Sequence, residues 1–264
     1  MPIDFGKLTT NKQLKSLKSP RDIFTSLPSK APGFGYLRDV QGQVLDSWEE
    51  RRDERDLAIK MNTGGGKTLV GLLILQSCLN DGLGPALYVA PSTYLAQQVT
   101  MQADRLGIPT VVDPEAVRYL SGESIGVVNI HKLVNGRSVF GGPQGRPIPL
   151  PIGSVVIDDV HAAIATIEEQ TTVEMPSSHP VYSTLLERFS EDLRRQSEST
   201  FLDIQDGLPS AVLRVPFWAW ADRSAEVTRI LHEHREDDEL TFTWPLLLMF
   251  CLSAKRSLPA QHLR

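Results

Sequence analysis

At 264 residues, 41% of them hydrophobic and 22% charged, the chain has the composition of an ordinary globular protein, with room for a core domain and an appended one. No run of about eighteen apolar residues occurs, so neither a membrane-spanning helix nor a membrane partner is expected; the longest apolar stretch, Pro245–Leu252, predicts buried core. The net charge of −5 argues against general attraction of the surface to nucleic acid and leaves room for a local basic track.

Residues 1–35 are rich in Lys, Ser and Pro and predict a partly ordered N-terminal arm, with a short helix around Pro20–Leu27. Met1–Lys7 carries an acid and no apolar segment, so no secretory signal is legible. Leu37, Val40, Val44, Leu45 and Trp48 recur at helical spacing and predict an amphipathic helix over Leu37–Arg52. A charged loop, Glu49–Asp56, leads to an expected strand at Leu57–Met61. Helices at Thr68–Leu79, Thr93–Leu106 and Pro114–Leu120 then alternate with strands at Ala86–Ala90, Thr110–Val112, Ile125–Asn129 and Ser154–Ile157, the last expected to be buried. Arg137–Gly153, rich in Gly and Pro, predicts a loop or hairpin. The alternation predicts an α/β fold, a parallel sheet with helices on both faces, whose functional groups gather at the strand C-termini.

Beyond Ala162–Glu169, read as a helix, the alternation stops. Val181–Gln196, Ala221–Glu236 and Leu240–Lys255 predict helices, with one strand candidate at Ala211–Val215. Residues 36–165 are therefore read as the core and 166–264 as a mainly helical insertion or appendage. Cys78 and Cys251 lie in apolar surroundings without metal-ligand spacing, so reduced core thiols and a cytoplasmic location are expected.

Asn62-Thr63-Gly64-Gly65-Gly66-Lys67-Thr68 separates an apolar strand candidate from an apolar helix. Glycines let the backbone curl so that N–H groups meet phosphate oxygens above a helix N-terminus. Lys67 can reach the β- and γ-phosphates of ATP, and the Thr68 hydroxyl can ligate Mg²⁺. Met61 stands where such loops usually start with glycine. Downstream, Asp158 and Asp159 end an apolar strand, a costly placement unless a cation sits there. Asp158 is read as a metal ligand through water, Asp159 as the base for the attacking water, and His161 as a group beside the γ-phosphate. A pair that merely caps the next helix is the plainer alternative.

Together these segments resemble the first RecA-like, ATP-binding lobe of the DEAD/DEAH-box superfamily 2 helicases. Asp158-Asp159-Val160-His161 is similar to the family's Asp-Glu-x-Asp/His motif, with Asp159 in place of Glu and so one methylene shorter. Arg38-Asp39-Val40-Gln41 looks like the adenine-reading element, with Arg38 and Gln41 joining Thr63–Thr68 in the nucleotide site. Ala90-Pro91-Ser92-Thr93-Tyr94-Leu95-Ala96-Gln97-Gln98 resembles a nucleic-acid motif, and Pro91, Ser92, Thr93 and Gln97 are its implied contacts. Asn129-Ile130-His131-Lys132 stands where another such motif falls, or is a solvated turn. Phe217, Trp218 and Trp220 either stack bases or belong to core. Ser253-Ala254-Lys255 is only a distant match to the family's third motif.

The resemblance implies a nucleic-acid partner, DNA before RNA, and Mg-ATP hydrolysis coupled to helicase or translocase movement. It also implies a second RecA-like lobe, from another region or chain, that supplies cations to the developing charge. Without an arginine finger turnover falls by about a thousandfold or more, so weak hydrolysis by this lobe alone is expected. An ATP-dependent switch or assembly subunit that unwinds nothing is the alternative.

Overall fold

The computed structural model describes residues 17–27, 35–142 and 147–248, which divide into two compact units. The first runs to Val134 and resumes through Ile167; the second takes Glu168 onward and Asn135–Ser138. In the first, α1 (Pro20–Ser26) and α2 (Asp39–Glu50) precede α3 (Lys67–Asn80), and β1 (Ala86–Ala90) leads to α4 (Thr93–Leu106). β2 (Thr110–Val111), α5 (Val117–Leu120), β3 (Ile125–Asn129), α6 (Ile130–Leu133), β4 (Ser154–Ile157) and α7 (Val160–Gln170) follow.

The four strands pair in parallel in the order β2-β3-β1-β4. Side-chain alternation along β1 divides its residues between two cores. Ala86, Tyr88 and Ala90 pack with α3, α4, α1 and α2, whereas Leu87 and Val89 pack with Tyr119, Val128, Ile130 and Ala163. Because α3 is enclosed by α1, α2, α4 and the sheet, it is apolar almost all round. The N-terminal segment docks on this helix through Ile23, Phe24 and Leu27, and Asn80 Nδ2 donates to the Leu17 carbonyl at 2.6 Å.

Four expectations change in the first unit. Leu57–Met61 forms no strand, since a strand requires a ladder partner and this stretch pairs with none among the described residues. β4 is an edge strand rather than a buried one: Val155 and Ile157 are exposed on the face where the second core does not reach. The buried stripe of α2 is Gln41, Leu45 and Trp48, with Val40 turned to solvent. Residues 114–116 are held in a turn in which Asp113 Oδ1 accepts from the Glu115 N–H at 2.9 Å, so only Val117–Leu120 is helical.

The second unit is helical: α8 (Pro180–Arg188), α9 (Ser190–Gln196), α10 (Glu198–Gln205) and α11 (Phe217–Glu233). Phe189, Leu193, Phe201, Ala219 and Val227 form its core. The single helix expected over Val181–Gln196 breaks at Phe189, whose side chain is buried in that core. Ala211–Val215 is extended without a strand partner, although Leu213 and Val215 pack on the same core. The aromatic cluster opens α11, with Phe217 and Trp218 exposed, while Trp220 lies 4.8 Å from the Phe189 ring. Of the helix expected over Leu240–Lys255, residues 240–243 form turns and 244–248 are helical; Cys251 and Ser253–Lys255 lie outside the described residues.

His179, His234 and Asp237 converge in this unit. Asp237 Oδ2 lies 3.1 Å from His179 Nε2 and 2.8 Å from His234 Nδ1. His179 Nδ1 accepts from the Val181 N–H at 3.2 Å, which puts the neutral ring's proton on Nε2, facing Asp237. That tautomer makes the group a hydrogen-bonded clamp at the start of α8 rather than a ready metal site.

Candidate functional site

The glycine loop follows the buried Met61 and ends in α3. Gly64 (φ 78°) and Gly66 (φ 82°) occupy the left-handed region, where a side chain costs energy, and the Gly65 N–H donates to the Asn62 carbonyl at 3.0 Å. Two side chains from the start of α2 hold the loop's carbonyls. Arg38 Nη1 donates to the Gly64 oxygen at 2.9 Å, and Gln41 Nε2 donates to the Gly65 oxygen at 3.0 Å. Gln41 Oε1 in turn accepts from the Arg38 N–H at 3.0 Å, which satisfies an amide that is 5% exposed. A Cβ on Gly66 would lie 2.1 Å from Gln41 Nε2, whereas one on Gly64 would meet nothing within 4 Å.

The polarity of this arrangement matters. With the carbonyls of Gly64 and Gly65 bound by Arg38 and Gln41, the N–H groups of Gly64, Gly66, Lys67 and Thr68 have no acceptor among the described residues. α3 has no side-chain N-cap and no acid in its first turn. A 14-residue helix thus ends in unpaired donors beside an exposed Lys67, an arrangement that suits a polyanion.

The carboxylates lie at the C-terminal end of β4. Asp158 continues the ladder, its N–H donating to the Val89 carbonyl at 2.9 Å, and its Oδ2 accepts from the Tyr88 hydroxyl at 3.0 Å. Burial, then the Asp158 charge, then their hydrogen bond push the Tyr88 phenol far above its ordinary range, and the Thr68 side chain acts in the opposite sense. Thr68 and Asp158 are both hard oxygen donors suited to Mg²⁺, and Tyr88 holds the latter. Asp159 is exposed with φ 51°, the one non-glycine residue at positive φ among those described. Its Oδ1 accepts from the Ala162 N–H at 3.3 Å, so this acid caps α7. His161 is exposed on the first turn of that helix.

The expected nucleic-acid segments meet at one sheet edge because Ala90 and Asn129 are register partners at the strand ends. Ser92 Oγ accepts from the Leu95 N–H at 3.3 Å and caps α4. Asn129 Nδ2 donates to Thr93 Oγ1 at 2.8 Å while its Oδ1 accepts from the Lys132 N–H at 3.0 Å. Thr93 and Gln97 are exposed, and Pro91 and Ser92 half-buried. Sequence reading missed Tyr88; the signal was an aromatic with a polar tip inside a buried strand, which needs a partner for its hydroxyl.

A parallel sheet with a glycine loop opening α3 and acids closing β4 defines a RecA-like P-loop lobe with helices appended. The family model for the DEAD/DEAH box helicase matches residues 38–172, just over half of the chain. The chain belongs to that family and carries an ATP-dependent, helicase-type motor lobe. Every candidate site residue, from Arg38 to His161, falls inside the match. Comparison with curated proteins and with solved structures finds no significant match. No helix among the described residues is long and apolar enough to cross a membrane.

Proposed function

We propose that this lobe binds Mg-ATP on the loop Asn62–Thr68 and couples its hydrolysis to movement on nucleic acid, with DNA the first choice. The observation that carries the reading is the uncapped start of α3, where the N–H groups of Gly64, Gly66, Lys67 and Thr68 have no acceptor among the described residues while the carbonyls of Gly64 and Gly65 are held by Arg38 and Gln41. Lys67 neutralises the β- and γ-phosphates. Thr68 and Asp158 hold Mg²⁺, which when bound shields charge on the transferring phosphoryl group. Asp159 orients and deprotonates the attacking water after releasing the α7 N–H group, and His161 contacts the γ-phosphate end. Arg38 and Gln41 carry the adenine end and, through their bonds to Gly64 and Gly65, link base recognition to the phosphate loop. Pro91, Ser92, Thr93 and Gln97 take the nucleic-acid backbone. A second RecA-like lobe, from another region or chain, completes the hydrolytic site.

A second reading, an ATP-bound switch with slow turnover, is favoured by Asp159, whose short side chain is engaged at the start of α7. Titration of Mg-ATP against this chain and Lys67→Ala tests the site; saturable binding is expected only in the former. Equal or absent binding in both would refute it. With the second lobe present, stimulation of ATPase by single- or double-stranded DNA supports the motor, and its absence the switch.

A further inference from the structure

Tyr88 lies at the middle of the sheet, opposite Val127 on one neighbour and Val156 on the other. It is 1% exposed and lies in the core beneath α3, in a strand otherwise made of Ala, Leu and Val. Gly71 of α3 stands over it: a Cβ there would be 2.9 Å from Tyr88 Cε2 and 3.2 Å from Val156 Cγ1. Glycine inside a helix costs about 1 kcal/mol relative to alanine, and here the space it leaves is filled by the tyrosine ring. The ring spans from beneath the helix to the strand end, where its hydroxyl meets Asp158 Oδ2 at 3.0 Å.

We infer that Tyr88 is a positioning residue for the metal site, its hydroxyl orienting the Asp158 carboxylate toward Mg²⁺. This deepens the Mg-ATP reading and rests on it. A donor on Oδ2 fixes the carboxylate rotamer and leaves Oδ1 for the cation or its water. It also ties the middle of β1 to the end of β4, segments far apart in sequence and joined only by tertiary contact. Hydrogen-bond partners of metal ligands typically contribute about 10–100-fold to metal affinity.

The test measures a fluorescent ATP analogue binding to the full chain, first in EDTA and then across a Mg²⁺ titration, for wild type, Lys67→Ala, Tyr88→Phe, Asp158→Asn and the Tyr88→Phe/Asp158→Asn double variant. Tyr88→Phe is expected to raise the Mg²⁺ concentration for half-maximal binding by about tenfold while leaving affinity in EDTA unchanged. In the Asp158→Asn background it is expected to add little, because it acts through that carboxylate. Equal weakening with and without Mg²⁺ would make the role structural and overturn the inference. Unchanged or tighter Mg²⁺ binding would also overturn it, the latter making the hydroxyl a competitor of the cation. If Tyr88→Phe does not fold, Gly71→Ala, which keeps the hydroxyl and displaces the ring, takes its place in the same Mg²⁺ titration, and a selective loss of Mg²⁺ dependence or its absence decides the question in the same way. Should Lys67→Ala match wild type throughout, the Mg-ATP reading itself fails and the inference falls with it; a loss confined to Lys67→Ala sinks the inference alone.

Discussion

Alanine at Gly64 and at Gly66 perturbs the loop in two separable ways. Both glycines are left-handed, at φ 78° and 82°, so either substitution carries the conformational cost of about 1–2 kcal/mol. At Gly64 the new Cβ meets nothing within 4 Å, and that cost is the whole effect. At Gly66 it lies 2.1 Å from Gln41 Nε2 and displaces the amide from the Gly65 carbonyl, removing a 3.0 Å hydrogen bond that contributes about 1 kcal/mol. Gly66→Ala should therefore destabilise by about 2–3 kcal/mol, against about 1–2 for Gly64→Ala. The gap of about 1 kcal/mol is roughly fivefold in the unfolding constant. In a Gln41→Ala background the gap should vanish. Urea unfolding, followed by circular dichroism and by tryptophan fluorescence, measures each of these costs. A Gly64→Ala cost equal to that of Gly66→Ala, or a gap that survives without Gln41, would refute the proposed clamp.

Two further expectations concern stability. Burial pushes the Tyr119 phenol up to about 12, and Tyr88 is raised as well, so the folded state holds both neutral forms more tightly than the unfolded chain does. Their contribution is intact below the ordinary tyrosine value near 10 and is lost as pH rises toward 12, at about 1.4 kcal/mol per pH unit for each phenol. Urea midpoints measured across that window should fall less steeply in Tyr119→Phe than in wild type; identical slopes would contradict the assignment. In the second unit, Asp237→Ala leaves the largely buried Nε2–H of His179 without its acceptor, for an expected cost of about 1–2 kcal/mol. Thermal unfolding would show this, and a change within about 0.5 kcal/mol would mean that the clamp contributes nothing to stability.

The elements legible in the sequence are those specified locally. α4 runs over Thr93–Leu106 as expected because Ser92 caps one end, Gly107 at φ 73° stops the other, and Ala96, Val99, Ala103 and Leu106 recur at helical spacing. β1, β3 and β4 likewise match their expected bounds, each a short apolar run next to turn or cap residues. Leu57–Met61 has the same apolar character, but strand formation depends on a neighbour that local sequence does not reveal. The break at Phe189 was illegible for a related reason: helical periodicity continues through it, and only packing decides that Phe189 turns inward.

For the candidate site, the sequence by itself determined the chemistry available: glycines with a lysine and a threonine at a helix start, and two acids at a strand end. These are short-range patterns whose meaning lies in residue type and spacing. Only the tertiary structure decided how the groups are held. It buries Gln41 in place of Val40, because contacts with Arg38 and Gly65 satisfy the amide. It also sets the Tyr88 hydroxyl on Asp158, because parallel pairing brings β4 alongside β1 and Gly71 leaves room for the ring. Contacts between residues distant in the chain arise from packing and register, which no local pattern encodes.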